Sequence, residues 1–187
     1  VPPVQSIPLG SALNRVLARD IIATEDIPEF NRSTMDGFAV RSADTFGASD
    51  SRAAYLTVVG ESVMGTIPDR AIVKGEAMRI ATGGALPQGA DAVVMLEYTQ
   101  PAGVSDIEIM KSAAPLENVV QAGDDFRKGE TVLFQGHRLR PQDMSALASL
   151  GITVADVFEK PKAAIISTGN EIVPADSVPP PGRIRDS

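Results

Sequence analysis

Asp36 is the side chain on which the chemistry of this sequence turns. It stands in Asn31-Arg32-Ser33-Thr34-Met35-Asp36-Gly37-Phe38-Ala39-Val40, between a polar run and an apolar one. Asp-Gly is a strong turn dipeptide, and Phe38, Ala39 and Val40 read as a strand starting just after it. A carboxylate at the mouth of a strand, with a glycine leaving room for close approach, is well placed for site chemistry. A surface β-turn whose Asp caps its own backbone is the plainer reading of the same residues. Three further loops combine Gly with hydroxyl or carboxylate side chains: Thr82-Gly83-Gly84, Gly123-Asp124-Asp125 and Ser167-Thr168-Gly169-Asn170-Glu171. Thr-Gly-Gly presents a hydroxyl and bare backbone N–H groups to an anion, or is simply a turn. Neighbouring carboxylates cannot bind an anion directly, but they hold Mg2+, which bridges to phosphate oxygens. Asp124 and Asp125, followed by Arg127 and Lys128, equally fit a solvated charged turn. No single loop is specific, and residue chemistry alone reaches a Mg-assisted phosphate site and stops there.

Composition narrows the classes of partner. At 187 residues and 43% hydrophobic, the chain is long and apolar enough for one ordinary domain or two small ones with a real core. Aromatics make up only 4% and Trp is absent, so that core must be mostly aliphatic. A formal charge of −7 argues against a nucleic-acid backbone as partner, since phosphate backbones demand a basic stripe. The lack of cysteine excludes disulfides, thiolate zinc sites and a Cys nucleophile together. A single histidine, His137, removes multi-His metal sites and disfavours a Ser-His-Asp triad. No apolar run approaches the ~20 residues of a membrane span, and no signal-peptide pattern is present. These features describe a soluble, cytoplasmic protein. The start at Val1 without Met and the stop at Ser187, just after a glycine-bearing loop, suggest a segment of a longer polypeptide.

The elements that must position these loops follow from hydrophobic periodicity. Leu9, Leu13, Val16 and Leu17 fall on one helical face, with Pro8 suited to the first turn. Ile21 to Ala23 reads as a short buried strand. Strands are expected at Tyr55–Val59, Ala71–Val73, Ala77–Ala81 and Ala92–Met95, and in the alternating run Val104–Met110. Short strands spaced by Gly and Pro suggest a compact barrel or sandwich. Glu130–Phe134 is a further strand. Pro141 starts a helix packed through Met144, Leu147, Ala148 and Leu150, which Gly151 stops. Lys162–Ser167 is a continuous apolar run of the kind buried in parallel sheets. A βαβ unit needs ~30 residues or more, so this run reads as the first strand of a truncated α/β domain.

Taken together, the loops resemble the molybdopterin molybdenumtransferases, the MoeA family that includes the E domain of gephyrin. The resemblance rests on S-T-M-D-G-F-A-V at 33–40, R-I-A-T-G-G-A-L-P-Q-G-A-D-A-V-V-M at 79–95 and N-V-V-Q-A-G-D-D-F-R-K-G at 118–129. L-A-S-L-G-I at 147–152, I-S-T-G-N-E-I-V at 166–173 and G-R-I-R-D-S at 182–187 complete it. The resemblance implies an enzyme of molybdenum cofactor biosynthesis that inserts molybdate-derived molybdenum into adenylated molybdopterin, supported by Mg2+. It implies a homodimer with the site shared between subunits. By motif match Asp36 and Glu171 fall on the catalytic and metal-binding carboxylates, and Thr82 and Asp125 on substrate-binding positions. The isolated segment is expected to be inactive. A dimerising scaffold of the gephyrin E-domain type is the alternative.

The sequence departs from the family at Thr34 and Phe38, where Ala and Tyr are common, at Asp124, where Glu is common, and at Val120-Gln121-Ala122, which lacks a common Arg. The missing guanidinium weakens any phosphate contact at 120. The expected fold is mainly β with α+β character. Residues 31–124 form an inserted, barrel-like β domain. Residues 4–30 and 125–157 form a discontinuous α+β domain. Residues 158–187 begin the truncated α/β pterin-binding domain, poorly ordered or borrowed by a neighbouring chain for want of partner strands.

Overall fold

Period-two alternation governs the chain, and its strands pair mostly antiparallel. The computed structural model describes residues 2–186. The strands are Val4–Pro8 (β1), Ile21–Ile22 (β2), Arg32–Ser33 (β3), Gly37–Val40 (β4), Ala54–Ser62 (β5), Glu76–Ile80 (β6) and Ala92–Met95 (β7). After them come Thr99–Ala102 (β8), Asp106–Ile109 (β9), Val119–Val120 (β10), Thr131–Leu133 (β11), Val154–Phe158 (β12), Ile172–Val173 (β13) and Ile184–Arg185 (β14). The α-helix, Pro141–Ser149 (α1), lies between β11 and β12.

The largest sheet has the order β7-β4-β6-β5-β9-β8, antiparallel throughout except for the parallel β5–β6 pair. Its two edge strands, β7 and β8, are separated in sequence only by Leu96–Tyr98. In a flat sheet five spacings of ~4.8 Å would hold those edges about 24 Å apart, whereas a four-peptide link reaches at most ~14 Å. The sheet therefore curls into a half-barrel. Phe38, Val40, Leu56, Ala92, Val94, Ile107 and Ile109 fill one face. Ala39, Ile80 and Val93 fill the other under Leu86, Ala90 and Val119. The interior strand β4 is thus buried on both faces, which is why its sequence runs apolar without alternating.

A second core joins the two ends of the chain. Ala12, Leu17, Leu139, Leu147, Ala155 and Val157 are buried together, with Ile7, Ile21, Leu133 and Met144 packed around them. β1 pairs with β12 from Val4↔Phe158 to Pro8↔Val154, and β2 pairs with β11. Helix α1 begins as its sequence demands: Pro141 sits in the first turn, and Asp143 accepts the Arg140 N–H at 2.8 Å. It ends with Gly151 at φ +70°. There the Gly151 N–H reaches the Ala148 carbonyl and the Ile152 N–H the Leu147 carbonyl, a Schellman ending. No helix of the described residues is long and apolar enough to cross a membrane.

Three expected elements do not form. The helical face at 9–17 is replaced by a 3-10 turn at Leu9–Ser11 and an irregular run. Asn14 takes φ +64°, and the Asn14 and Leu17 N–H groups donate to the Leu139 and His137 carbonyls instead of one turn back. Tertiary pairing with 137–139 overrides the periodicity. Ala71–Val73 is no strand; only the Ile72 N–H finds a cross-chain acceptor, Gln88 O at 2.8 Å. Lys162–Ser167 carries no strand either, and Ile165 and Ile166 are 94% and 80% exposed. A strand exists only by its ladder, and no other segment of residues 2–186 pairs with this run. Beyond it lies a small parallel contact of β13 with β14, with the Ser167 hydroxyl donating to Asp186. β1, β3, β8, β10 and β12 leave no clear mark in the sequence: β3 and β10 are two residues long, and β1 and β8 contain Pro.

Candidate functional site

Three sequence-distant loops are zipped together around Asp36. β3 is flanked on one side by β10, through Val119↔Ser33 and Val120↔Arg32, and on the other by the loop after β6. On that second side Ser33 N–H donates to Gly84 O at 3.0 Å, Gly83 N–H to Ser33 O at 2.8 Å, and Leu86 N–H to Asn31 O at 2.9 Å. Ser33 is 2% exposed, and its hydroxyl closes a local turn by accepting the Met35 N–H at 3.1 Å. Thr34 N–H donates to Asn118 O, and the Asn118 side-chain amide donates to Val93 O at 2.9 Å, tying the third loop to the sheet.

The Thr-Gly-Gly tripeptide is the turn this frame requires. Gly84 N–H bonds Ala81 O at 2.9 Å, and Gly83, the third residue of the turn, takes φ +84°. A type II turn demands a positive φ at that place, which glycine adopts without strain. The turn aims two donors at one atom: Thr82 N–H and the Thr82 hydroxyl both reach Asp36 Oδ1, at 2.7 and 2.9 Å. The Asp36 carbonyl is also engaged, by Leu96 N–H at 3.1 Å. Gly37 lets Asp36 stand there, because a Cβ on Gly37 would lie 2.0 Å from Val94 O on the neighbouring strand.

Asp36 is solvent-exposed, and its pKa is held below the ordinary carboxylate value. The Thr82 N–H is the largest cause and the Thr82 hydroxyl adds to it; desolvation works against them, and the positive charge of Arg79 on β6, the weakest influence, acts in their direction. The result is a carboxylate ionised at neutral pH. Its Oδ1 is occupied by two donors, and its Oδ2 takes no hydrogen bond from the described residues. Such a group accepts an N–H donor or ligates a cation through one oxygen.

Thus Asp36 and Thr82 are brought together, while Asp125 and Glu171 are hydrogen-bonded to neither among the described residues. The 118–125 segment runs antiparallel to 34–27, with Gly123 N–H on Pro28 O and Asp125 N–H on Ile27 O, both at 2.9 Å. Asp125 therefore sits at the end of this ribbon opposite to Asp36, in an open cleft with Phe126, Gln142 and Ser145. Its neighbour Asp124 is spent on its own loop, accepting Gln121 N–H at 2.7 Å. Glu171 stands just before β13, its carbonyl accepting Ile184 N–H at 2.8 Å. No group of three or more His, Asp or Glu side chains gathers as a metal cage among the described residues.

Comparison with known proteins shows the family of the whole segment. The profile of the family described as "MoeA N-terminal region (domain I and II)" matches residues 1–151. The chain belongs to the MoeA N-terminal region family. It is 40% identical over 182 residues to the "Molybdopterin molybdenumtransferase" of Staphylococcus epidermidis, covering 97% of this chain and 43% of that protein. It is 37% identical over 185 residues to the Staphylococcus aureus protein of the same name, covering 99% and 44%. Among solved structures, the molybdopterin biosynthesis moeA protein of Pyrococcus horikoshii OT3 superposes with a TM-score of 0.85 at 40% identity, over 92% of this chain and 45% of that one. The chain thus spans less than half the length of these relatives.

Two residues beside the site of this MoeA-family chain escape sequence reasoning. Arg79 opens the run at 79–95, yet only the β4–β6 pairing, which sets Phe38 opposite Arg79, puts its charge near Asp36. Met64 is 55% exposed, and its Cε stands 3.5 Å from where a Gly83 Cβ would be. No motif marks it; the parallel alignment of Ser62 with Ile80 carries the 63–67 loop alongside the Thr-Gly-Gly turn.

Proposed function

We propose that the chain is the N-terminal part of a molybdopterin molybdenumtransferase, which transfers molybdenum from molybdate to adenylated molybdopterin in molybdenum cofactor biosynthesis. The observation that carries this reading is the Asp36–Thr82 pair, an ionised carboxylate fixed by a turn with one oxygen left outward. Relatives bearing the transferase name align along almost the whole chain.

Mg2+ fits the donor chemistry. It is reluctant to lose water and binds through one or two carboxylates plus substrate phosphates, not through a closed protein cage. Asp36 through Oδ2 and Glu171 are the residues that would hold it, and bound there it would neutralise the phosphate released as AMP leaves. Thr82 fixes the Asp36 carboxylate, and Asp125 lines the substrate cleft from the other end of the ribbon. Because Asp125 and Glu171 are not joined to Asp36 within one chain, the complete site is shared between the subunits of a homodimer.

Two folding units carry this site. Residues 31–124 form the inserted β domain, and residues 4–30 with 125–157 the discontinuous α+β domain, in keeping with two cores that have no buried residue in common. Residues 158–187 open a further, pterin-binding α/β domain, and the segment by itself is inactive. A molybdate-dependent conversion assay on the full-length protein tests the reading: Glu171→Gln and Asp36→Asn each lower turnover sharply, and unchanged turnover in both removes these carboxylates from the mechanism. Light scattering tests the homodimer.

A further inference from the structure

Gly37 meets a steric demand and brings a chemical hazard with it. A Cβ at this position would lie 2.0 Å from Val94 O, so no other residue can follow Asp36 without displacing β7. Asp36–Gly37 is therefore fixed as the one Asp-Gly pair of the sequence. Such a pair cyclises readily, because glycine leaves its amide nitrogen unhindered and its backbone free to turn. The Gly37 nitrogen bonds to Cγ of the Asp36 carboxylic acid, and one carboxyl oxygen leaves with the amide proton as water. Water then opens the five-membered imide at either carbonyl and gives aspartate or isoaspartate. One water is lost and one gained, and nothing is oxidised or reduced. Isoaspartate carries the methylene in its backbone, so its carboxylate sits directly on Cα and no longer reaches Thr82.

The structure holds the reacting atoms apart. Oδ1 of Asp36 is fixed by the Thr82 N–H at 2.7 Å and the Thr82 hydroxyl at 2.9 Å, so the side chain cannot rotate without breaking both bonds. The carbonyl of the Asp36–Gly37 peptide accepts Leu96 N–H at 3.1 Å. A trans peptide points its N–H the opposite way, so the Gly37 amide faces β6, where Ile80 is its register partner. Gly37 is buried, whereas the Asp36 side chain is open to the water that would complete the reaction. Cyclisation requires the carboxyl to swing off Thr82 and the peptide to turn out of the sheet. We propose that Asp36–Gly37 is a latent self-modification site, an imide-forming pair that the two Thr82 donors and the β4–β6 pairing keep closed. Thr82 is thus a positioning residue that also preserves the carboxylate over the lifetime of the protein. This holds whatever reaction the carboxylate serves, because it concerns the covalent chemistry of the chain itself.

Prolonged incubation of the full-length protein at neutral pH, below its melting temperature, tests this. Trypsin cleavage after Arg32 and Arg41 releases residues 33–41, in which Asp36 is the only Asp, and electron-transfer fragmentation tells isoaspartate from aspartate. Wild type and Thr82→Ser, which keeps both donors, should form isoaspartate at least about tenfold more slowly than the same protein unfolded in urea, the scale of two exposed hydrogen bonds. Thr82→Val loses the hydroxyl and should react about threefold faster than wild type. Thr82→Pro loses both donors but suits the second place of a type II turn, and should react about tenfold faster. Asp50–Ser51, exposed in the turn leading to β5, should keep one rate in every folded variant. Thermal melting shows whether each variant is folded during the incubation, and if Thr82→Pro is not, Thr82→Val decides. A folded wild type that reacts as fast as the unfolded chain overturns the inference, as does Thr82→Val at the wild-type rate. A rise at Asp50–Ser51 equal to that at Asp36–Gly37 overturns it too, since it marks general loosening and not the loss of a local clamp.

Discussion

Replacing Gly37 with Ala drives a methyl group into the backbone of the adjacent strand. The added Cβ lies 2.0 Å from Val94 O and 2.9 Å from its carbonyl carbon. Ordinary contact begins at 3.4 Å, so β7 must retreat from β4 by roughly 1.4 Å, the difference between the two distances. Ladder bonds near ~2.9 Å stretched by that amount are no longer hydrogen bonds, and β4 is buried on both faces, so water cannot replace them. One lost bond costs about 1 kcal/mol, and the buried group left unpaired a further ~1–3 kcal/mol. The stiffer unfolded chain returns ~0.4–1 kcal/mol. The net destabilisation is about 2 kcal/mol, within the range of overpacking, or a fall in Tm of roughly 4–8 °C for a protein of this size. Gly10→Ala is the control: nothing lies within 4 Å of its Cβ and its φ is not positive, so its Tm stays within about 2 °C of wild type. Thermal and urea unfolding followed by far-UV circular dichroism reads both. A Gly37→Ala protein as stable as the Gly10→Ala control would refute the claim that close strand approach, and not turn geometry, fixes glycine after Asp36.

Two other perturbations probe the electrostatics. Thr82→Val removes the hydroxyl but keeps the N–H, so the Asp36 pKa rises part of the way to its ordinary value, while Thr82→Ser leaves it in place; carbon-detected NMR titration reads this, and an unmoved Asp36 in Thr82→Val contradicts the hydrogen-bond assignment. Asp143 is 4% exposed and its pKa is lowered far below the usual carboxylate range, by the Arg140 guanidinium first and also by His137, against the cost of burial. A depressed folded pKa means that its contribution is complete above the unfolded value of ~3.9 and is lost as pH falls from there through the folded value. Asp143→Asn should therefore cost about 2–3 kcal/mol at pH 7, with the gap to wild type closing steadily below about pH 4; a pH-independent gap would show that shape, not charge, is what Asp143 supplies.

Much of the large sheet is legible in the sequence because its residues answer to local rules. β4, β6, β7 and β9 each announce themselves as short apolar or alternating runs bounded by Gly, Pro or acid, and α1 carries both its Pro start and its Gly stop. The N-terminal region is not, because Leu9 to Leu17 has helical spacing but its backbone donors are claimed by 137–139, far away in sequence. β1 and β12 lie at opposite ends of the chain, and nothing local in either states that they pair. The site divides in the same way. Asp36, Gly37 and Thr82-Gly83-Gly84 are visible as loop chemistry, but their convergence depends on β3, a strand of two residues sandwiched between two loops. Arg79 and Met64 enter only through strand register. Lys162–Ser167 shows the limit of composition: an apolar run reads as a strand, yet strand structure also requires a neighbour.

The most direct test is turnover of adenylated molybdopterin with molybdate by the full-length protein carrying Asp36→Asn, with Tm measured alongside. Asparagine keeps the shape and the oxygen that accepts from Thr82 but removes the charge. The expected result is an unchanged Tm with a loss of at least ~100-fold in kcat/KM, the scale of losing one preorganised charged group. Turnover within twofold of wild type, in a protein of unaltered stability, would contradict the placing of the reaction at Asp36.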